Sequence, residues 1–153
     1  MADCSVKCID EMDAALFGSF KRARAELGVE SFGMQVIDLP PAFDAYPSHD
    51  HTHDAQEEVF LALRGSGELE VDGERMPLDG DHIARVGPAA KRKVWAGPEG
   101  IRLLVLGGVP GQVYAAPEVS EIGGPDPRMP SYSPSPWSSV GSKPGQRRTG
   151  MRG

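Results

Sequence analysis

The 153-residue sequence lacks the features that mark several large classes of protein. No run approaches the roughly 18 consecutive apolar residues of a membrane-spanning helix. The two cysteines, Cys4 and Cys8, have no further cysteine and no histidine nearby, so we interpret them as reduced thiols. Basic residues are outnumbered, and the formal net charge of -6 argues against nucleic-acid binding, which needs a surplus of lysine and arginine.

Other signals are missing as well. There is no phosphate-binding loop or dinucleotide fingerprint, and no nucleophile–base pair stands out. The opening residues, MADCSVKCIDEMD, are too acidic and polar for a secretory signal. We therefore expect a cytoplasmic protein of one domain that binds neither nucleic acid nor a membrane.

One segment has the periodicity of an amphipathic helix. From Ile9 to Leu27, apolar residues recur at spacings of three and four, with acidic residues in the first turns and basic residues in the last. Gly28 follows at the position of a left-handed C-cap. The pattern predicts a helix over residues 9–27, packed on the outside of the main body.

Beyond this segment the period changes to that of strands. Short apolar runs alternate with turn signals, and Asp72-Gly73 is suited to the tight turn of a hairpin. About seven or eight short strands without a second helix predict an all-β sandwich or barrel. We place a helical extension at residues 1–32, the barrel at 33–115 and a tail at 116–153.

The tail is rich in proline, glycine and serine. Six of the 14 prolines lie after Gly124, and the segment has almost no aliphatic content. It cannot bury enough surface to offset the entropy of ordering, so we predict a disordered tail without regular structure beyond about Gly124.

The histidines give the strongest chemical signal. His49, His51 and His53 occupy alternate positions, so they share one face if the segment is an extended strand. Glu58 opens the next apolar strand and can be brought against them if that strand pairs alongside. Two imidazoles and a carboxylate suit a divalent first-row metal. We predict His51, His53 and Glu58 as ligands, with His49 as a further candidate; the alternative is an exposed polar loop.

The order of these residues resembles the first motif of the cupin superfamily. That motif is HxH, three or four residues, a glutamate, and a glycine after a six-residue strand. Here His51-Thr52-His53 is followed by Glu58, the strand VFLALR and Gly65. The resemblance covers roughly residues 33–108. It implies a small double-stranded β-helix (a jelly-roll barrel) with its site in the barrel mouth, and a homodimer.

The second cupin motif is degenerate in this chain. Lys91 holds the place of the usual third imidazole ligand, and it is a poor ligand because it is protonated near neutral pH. A working metal site therefore requires Lys91 to face solvent and His49 or water to fill the vacant position. His82 could substitute only if its side chain faces inward.

Other residues are candidates for contact with a ligand. Phe60 and Ala62 share the face of Glu58 and are expected to form an apolar wall. The basic run from Lys91 to Lys93 is expected to be a solvated edge. One or two of its residues, or Arg85, could instead reach the pocket and bind an anion.

Two functions remain open from the sequence. The first is a metal cupin that holds Fe, Mn, Ni or Zn and acts on a small organic molecule as an oxygenase, isomerase or lyase. The second is a non-catalytic module that binds a small ligand, including an anionic one, without metal. The intact first motif favours the former, and the missing third imidazole favours the latter.

Overall fold

The computed structural model describes residues 2–126 of the chain. Within them one helix, α1, spans Ala23–Leu27, and two 3₁₀ turns span Ile9–Glu11 and Glu118–Ser120. The strands of these residues are β1 (Ala14–Ala15), β2 (Phe20–Lys21), β3 (Gly33–Leu39), β4 (Glu57–Val71), β5 (Glu74–Leu78), β6 (Ile83–Val86) and β7 (Arg92–Gly108).

The strands form one antiparallel sheet in the order β1-β2-β3-β7-β4-β5, and β6 pairs with the first half of β4. The long strands β4 and β7 pair along most of their length, with register shifts between Ala62 and Arg64 and between Gly65 and Gly67. Gly65 has a φ of 74°, and a Cβ there would lie 2.1 Å from the carbonyl oxygen of Gly100. Irregularities of this kind bend strands, and here they let both halves of the sheet enclose a core.

Alternate residues of β7 show how the core is built. Ile101, Leu103 and Val105 are buried, whereas Arg102 and Leu104 between them are partly exposed. This is the two-residue period of a sheet with one face inward. The main core cluster consists of Ile37, Leu39, Phe60, Leu69, Leu78, Val86, Val94, Ile101, Leu103 and Val105. The predicted all-β class is confirmed.

The predicted helix over residues 9–27 is wrong. A 3₁₀ turn, the β1–β2 hairpin and the five-residue helix α1 replace it. Leu16 and Phe17 have φ values of 53° and 57°, which an α-helix cannot contain. The cause is tertiary, because Phe20 and Lys21 pair with β3 and extend the sheet, and such pairing overrides local helix propensity. The predicted left-handed C-cap at Gly28 is confirmed, with a φ of 75°.

After β7 the chain returns across the N-terminal hairpin. Two arginines hold residues 117–125, which we call the C-terminal strap. Arg22 donates to the carbonyl oxygens of Val119, Gly124 and Pro125, and Arg24 donates to the carboxylate of Glu121 at 2.6 Å. The predicted tail beyond Gly124 falls almost wholly on residues 127–153, which lie outside the described residues. In residues 2–126 no helix has the length and apolar character needed to cross a membrane.

Candidate metal centre

The histidine segment is a loop rather than a continuous strand. His49 forms an isolated antiparallel bridge with Arg92 at the start of β7. The His51 N–H donates to the carbonyl oxygen of Pro88 at 2.8 Å. The chain then turns, because the carbonyl of His51 accepts from the N–H of Ala55 at 2.8 Å, and Ala55 has a φ of 59°. Because of this turn, the His53 side chain does not point in the same direction as those of His49 and His51.

The structure brings His49, His51 and Glu58 together. One ligand atom from each lies within 4.8 Å of the others, and His51 Nε2 lies 3.3 Å from Glu58 Oε1. Glu58 is placed by β4, where it pairs with Gly107 of β7 and Val86 of β6. These three residues are the candidate metal centre.

His53 takes a different position from the one expected. Its side chain is 70% exposed, and its Nε2 lies 3.4 Å from an oxygen of Asp54. His51, His53 and Asp54 form a second group of potential ligands, which shares His51 with the first. Among the described residues, His53 does not join the group that contains Glu58.

Hydrogen bonds set the tautomers of the two inner imidazoles. His51 Nδ1 lies 3.0 Å from Asp54 Oδ1, and His49 Nδ1 lies 3.1 Å from the carbonyl oxygen of Pro47. These oxygens can only accept, so Nδ1 carries the proton in each ring. The Nε2 lone pair of each neutral ring is then free to bind a metal, and an Nδ1–H held in this way is the usual support of a metal-binding histidine.

The unpartnered atoms of the centre fit a cation. His51 Nε2 and Glu58 Oε2 are buried and have no hydrogen-bond partner among the described residues. Each has a charged neighbour, since His51 Nε2 lies 3.3 Å from Glu58 Oε1 and Glu58 Oε2 lies 3.4 Å from Arg92 Nε, but neither contact has hydrogen-bond geometry. Buried polar atoms are normally hydrogen-bonded, so both atoms need an explanation. A divalent metal satisfies both, because it binds through such lone pairs.

The protonation of the two imidazoles is affected in opposite directions. Burial lowers the pKa of His49, because desolvation disfavours the charged ring. The Glu58 carboxylate beside the ring raises the pKa of His51, because it stabilises the imidazolium. His49 is therefore already in the neutral form that a ligand needs, whereas His51 must release its proton when a metal binds.

A buried arginine lies next to the centre. Arg92 is 0% exposed, and its Nε lies 3.4 Å from Glu58 Oε2. Its Nη2 donates to the carbonyl oxygen of Gly87 at 2.9 Å, while Nε and Nη1 have no hydrogen-bond partner among the described residues. Arg92 belongs to the basic run that the sequence predicts to be a solvated edge, with the alternative that one or two of its residues reach the pocket. The strand period identifies it as an inward residue. Arg92 lies two positions before buried Val94 in β7, so both side chains are on the inner face.

A cavity of about 350 Å³ adjoins the centre. His49, His51 and Glu58 lie on its wall. Its other walls are mostly apolar and include Phe20, Ile37, Leu39, Phe43, Tyr46, Val105, Tyr114 and Val119. The strap and the β1–β2 hairpin thus line the cavity together with residues from the inner face of the sheet.

The residues predicted to contact a ligand lie elsewhere. Phe60 is fully buried in the core cluster and Ala62 packs against that cluster, so neither lines the cavity. The core side chains fill the space beside them, and β3 and β7 supply the apolar wall instead. Lys91 and Arg85 are exposed.

The local partners of the exposed candidates are clear. Arg85 pairs with Glu57 at 2.7 Å, and His82 pairs with Asp79 at 2.7 Å. The Lys91 backbone N–H donates to Asp72. None of these three side chains lines the cavity.

Comparison with known proteins defines the fold. No protein-family model matches the sequence, and no curated protein matches it either. Among solved structures, a cupin protein from Bacteroides fragilis superposes with a TM-score of 0.58 and 21% identity, over 76% of this chain and 93% of that one. The protein therefore has the cupin fold, as the resemblance of its first motif predicted.

Two further structures match at lower similarity. The cupin domain of Cnp3 from Schizosaccharomyces pombe has a TM-score of 0.46 and 20% identity, over 52% of this chain and 56% of that one. A structure from a study of DMSP lyases has a TM-score of 0.46 and 21% identity, over 53% of this chain and 40% of that one.

Proposed function

We propose that this protein is a metal-binding cupin that acts on a small organic molecule in the cavity beside the metal. His49, His51 and Glu58 are the proposed ligands of a divalent transition ion such as Fe, Mn, Ni or Zn. The observation that carries the proposal is the convergence of these three donors within 4.8 Å at a wall of the cavity. The two unpartnered buried atoms, His51 Nε2 and Glu58 Oε2, support it.

The surrounding residues have separate parts in this proposal. A bound divalent ion would supply Lewis acidity, polarising an oxygen of the ligand or lowering the pKa of a water molecule. Asp54 and the Pro47 carbonyl orient the imidazoles through Nδ1. Arg92 contacts the carboxylate of Glu58 and does not line the cavity. The apolar walls limit water around the ligand and provide the surface for its carbon skeleton.

Metal analysis of protein purified without a histidine tag tests the proposal. Near-stoichiometric metal is expected in the wild type, and His49→Ala, His51→Ala and Glu58→Gln should each lose most of it. His82→Ala is the matched control, because His82 is exposed and pairs with Asp79 away from the cavity. Full occupancy in all three ligand variants, or a wild type that binds no metal on reconstitution, would contradict the proposal.

The second candidate is a metal-free binding module. Arg92 favours it, because its guanidinium is completely buried and its Nη1 has no hydrogen-bond partner among the described residues. Such a group is a natural anion partner, although its Nε already lies 3.4 Å from Glu58 Oε2. Arg92 does not line the cavity, however, and the carboxylate of Glu58 does. The candidate requires that metal-stripped protein bind an anion such as benzoate, whereas the metal cupin requires binding to depend on restored metal.

A further inference from the structure

The charge around the proposed metal position is unusual because Arg92 is so close to Glu58. Their nearest atoms, Nε and Oε2, are 3.4 Å apart, and the Arg92 side chain is completely buried. In this environment the guanidinium stays charged. It therefore offsets the negative charge that Glu58 brings to the centre, and burial prevents water and salt from screening this effect.

The remaining charges follow from the other neighbours. The metal-binding forms of His49 and His51 are neutral. Asp54 contributes one negative charge at Nδ1 of the His51 ring, and it also lines the cavity. Arg92 offsets the charge of Glu58. Among the described groups that contact the three proposed ligands, the Asp54 carboxylate is then the one charge that is not compensated. A bound dication therefore keeps a net positive charge at the centre.

The cavity determines what can neutralise that charge. Its described lining includes no lysine or arginine, so the metal is the positive group that a ligand in the cavity meets. Asp54 and His53 also line it beside the proposed ligands, and the walls beyond them are largely aliphatic and aromatic, including Ile37, Phe43 and Val105. An occupant that matches both features has one anionic oxygen group at the metal and a compact apolar body.

We infer that the ligand of this site is a small carboxylate with an apolar body, and that Arg92 gives the site its preference for the anion. The inference rests on the proposed metal function and narrows its substrate class. Arg92 acts through Glu58 and does not touch the ligand, so it is a residue that determines specificity by charge. The competing source of specificity is the shape of the cavity, which does not distinguish a carboxylate from its amide.

Benzoate and benzamide are suitable probes, because they have the same shape and differ in charge. With Mn²⁺-loaded wild-type protein, isothermal titration should show benzoate binding at least about tenfold more tightly than benzamide. Arg92→Lys keeps the charge and should retain the preference. Arg92→Met removes the charge at similar volume and should reduce the ratio to within about twofold.

Controls separate specificity from folding. Circular dichroism and the thermal midpoint are measured for each variant. Arg92→Gln is a second neutral substitution, whose amide can still donate to the carbonyl oxygens of Val86 or Gly87, so failure of Arg92→Met to fold leaves the test intact. The ratio of benzoate to benzamide affinity in the wild type is also a test that needs no variant, because equal binding of the two probes overturns the inference.

Metal occupancy is measured on every sample by elemental analysis. A wild type without Mn²⁺ overturns the proposed function, and the inference with it. Full occupancy with no benzoate preference, or with neither probe bound, overturns the inference alone. Loss of Mn²⁺ from both neutral variants would show that Arg92 holds Glu58 in position for the metal, and would contradict its role in specificity.

Discussion

His49 and Arg92 face each other across an antiparallel bridge in which each backbone N–H donates to the other's carbonyl oxygen, at 3.0 and 2.8 Å. Directly opposed residues of such a bridge project their side chains to the same face. The same two hydrogen bonds therefore bring an imidazole and a buried guanidinium close to Glu58, with a His49 ligand atom within 4.8 Å of one from Glu58 and Arg92 Nε 3.4 Å from Glu58 Oε2. The loop that carries His49 lies outside the barrel strands, but its backbone is anchored to β7. This anchoring explains how the loop can hold a metal-binding imidazole in a fixed position.

We expect His49 and His53 to differ sharply in their effect on metal binding. His49→Ala removes a buried donor and should lower Mn²⁺ or Zn²⁺ affinity by more than about 100-fold, beyond the usual loss for an outer residue. His53→Ala should lower it by less than about tenfold, because the His53 ring is mostly exposed and contacts Asp54. Competition titration against a chelator measures both. The reverse ranking would place the metal in the second group, His51, His53 and Asp54.

Asp54 should affect the metal without touching it. Its carboxylate accepts from His51 Nδ1 at 3.0 Å and so holds the ring with Nε2 toward Glu58. Asp54→Ala should lower metal affinity about 10–100-fold, as is typical for such supporting residues. Asp50→Ala is the matched control in the same loop, since Asp50 bonds the exposed Thr52 instead. Similar losses in the two variants would indicate a general loosening of the loop.

Local patterns predicted the strand region well. The Asp72-Gly73 turn is present between β4 and β5, and both residues have positive φ, at 49° and 88°. That outcome depends on chemistry within the turn itself, because only a few residue types accept such angles. The N-terminal segment depends on distant residues. The apolar stripe from Ile9 to Leu27 is split among a turn, a hairpin and a short helix. Part of it packs with Val36 and Leu104, whereas Phe20 packs against the main core.

The candidate site shows the same division. Histidine spacing and the first motif predicted His51, His53 and Glu58 as ligands, with His49 as a further candidate. The structure brings His49, His51 and Glu58 together. The predicted extended strand is wrong at the turn after His51, because the polar residues 51–54 do not by themselves specify a turn. His53 consequently lies at the cavity wall but outside the group that contains Glu58. The burial of Arg92 was predictable, because it lies two residues before Val94 in the same strand. Its proximity to Glu58 was not, because that contact depends on how the barrel closes.

Lys91 should have no role in metal binding. Its side chain is exposed while Arg92 next to it is buried, so the positive charge near the metal belongs to Arg92. Lys91→Ala should change metal affinity by less than about twofold, because a charge in high-dielectric surroundings acts weakly at a distance. Chelator competition at low and moderate salt measures this. A marked gain of affinity would show that the Lys91 ammonium reaches the centre in solution.

Arg22 should stabilise the protein by holding the strap to the N-terminal hairpin. Its side chain is 4% exposed, and it donates to three strap carbonyl oxygens and to Asp13. Arg22→Ala leaves these part-buried acceptors without a donor and should cost about 1–3 kcal/mol in the free energy of unfolding. Arg75→Ala is the control on the exposed surface and should cost less than about 1 kcal/mol. Urea denaturation measures both, and equal effects would contradict an anchoring role.

The contact between Asp13 and the strap should make stability depend on acid pH. The N–H of Gly123 and the Arg22 guanidinium bond the Asp13 carboxylate and lower its pKa. A group whose pKa is lower in the folded state stabilises that state above its unfolded value of about 3.9, and this stabilisation is lost as pH falls through the folded value. The free energy of unfolding of the wild type should therefore fall more steeply below about pH 4 than that of Asp13→Asn. Asp79→Asn is the control for an exposed aspartate whose pKa is lowered by His82 without any contact to the strap. Urea unfolding at a series of pH values gives the comparison, and parallel curves for the wild type and Asp13→Asn would show that Asp13 does not link the strap to the hairpin through its charge.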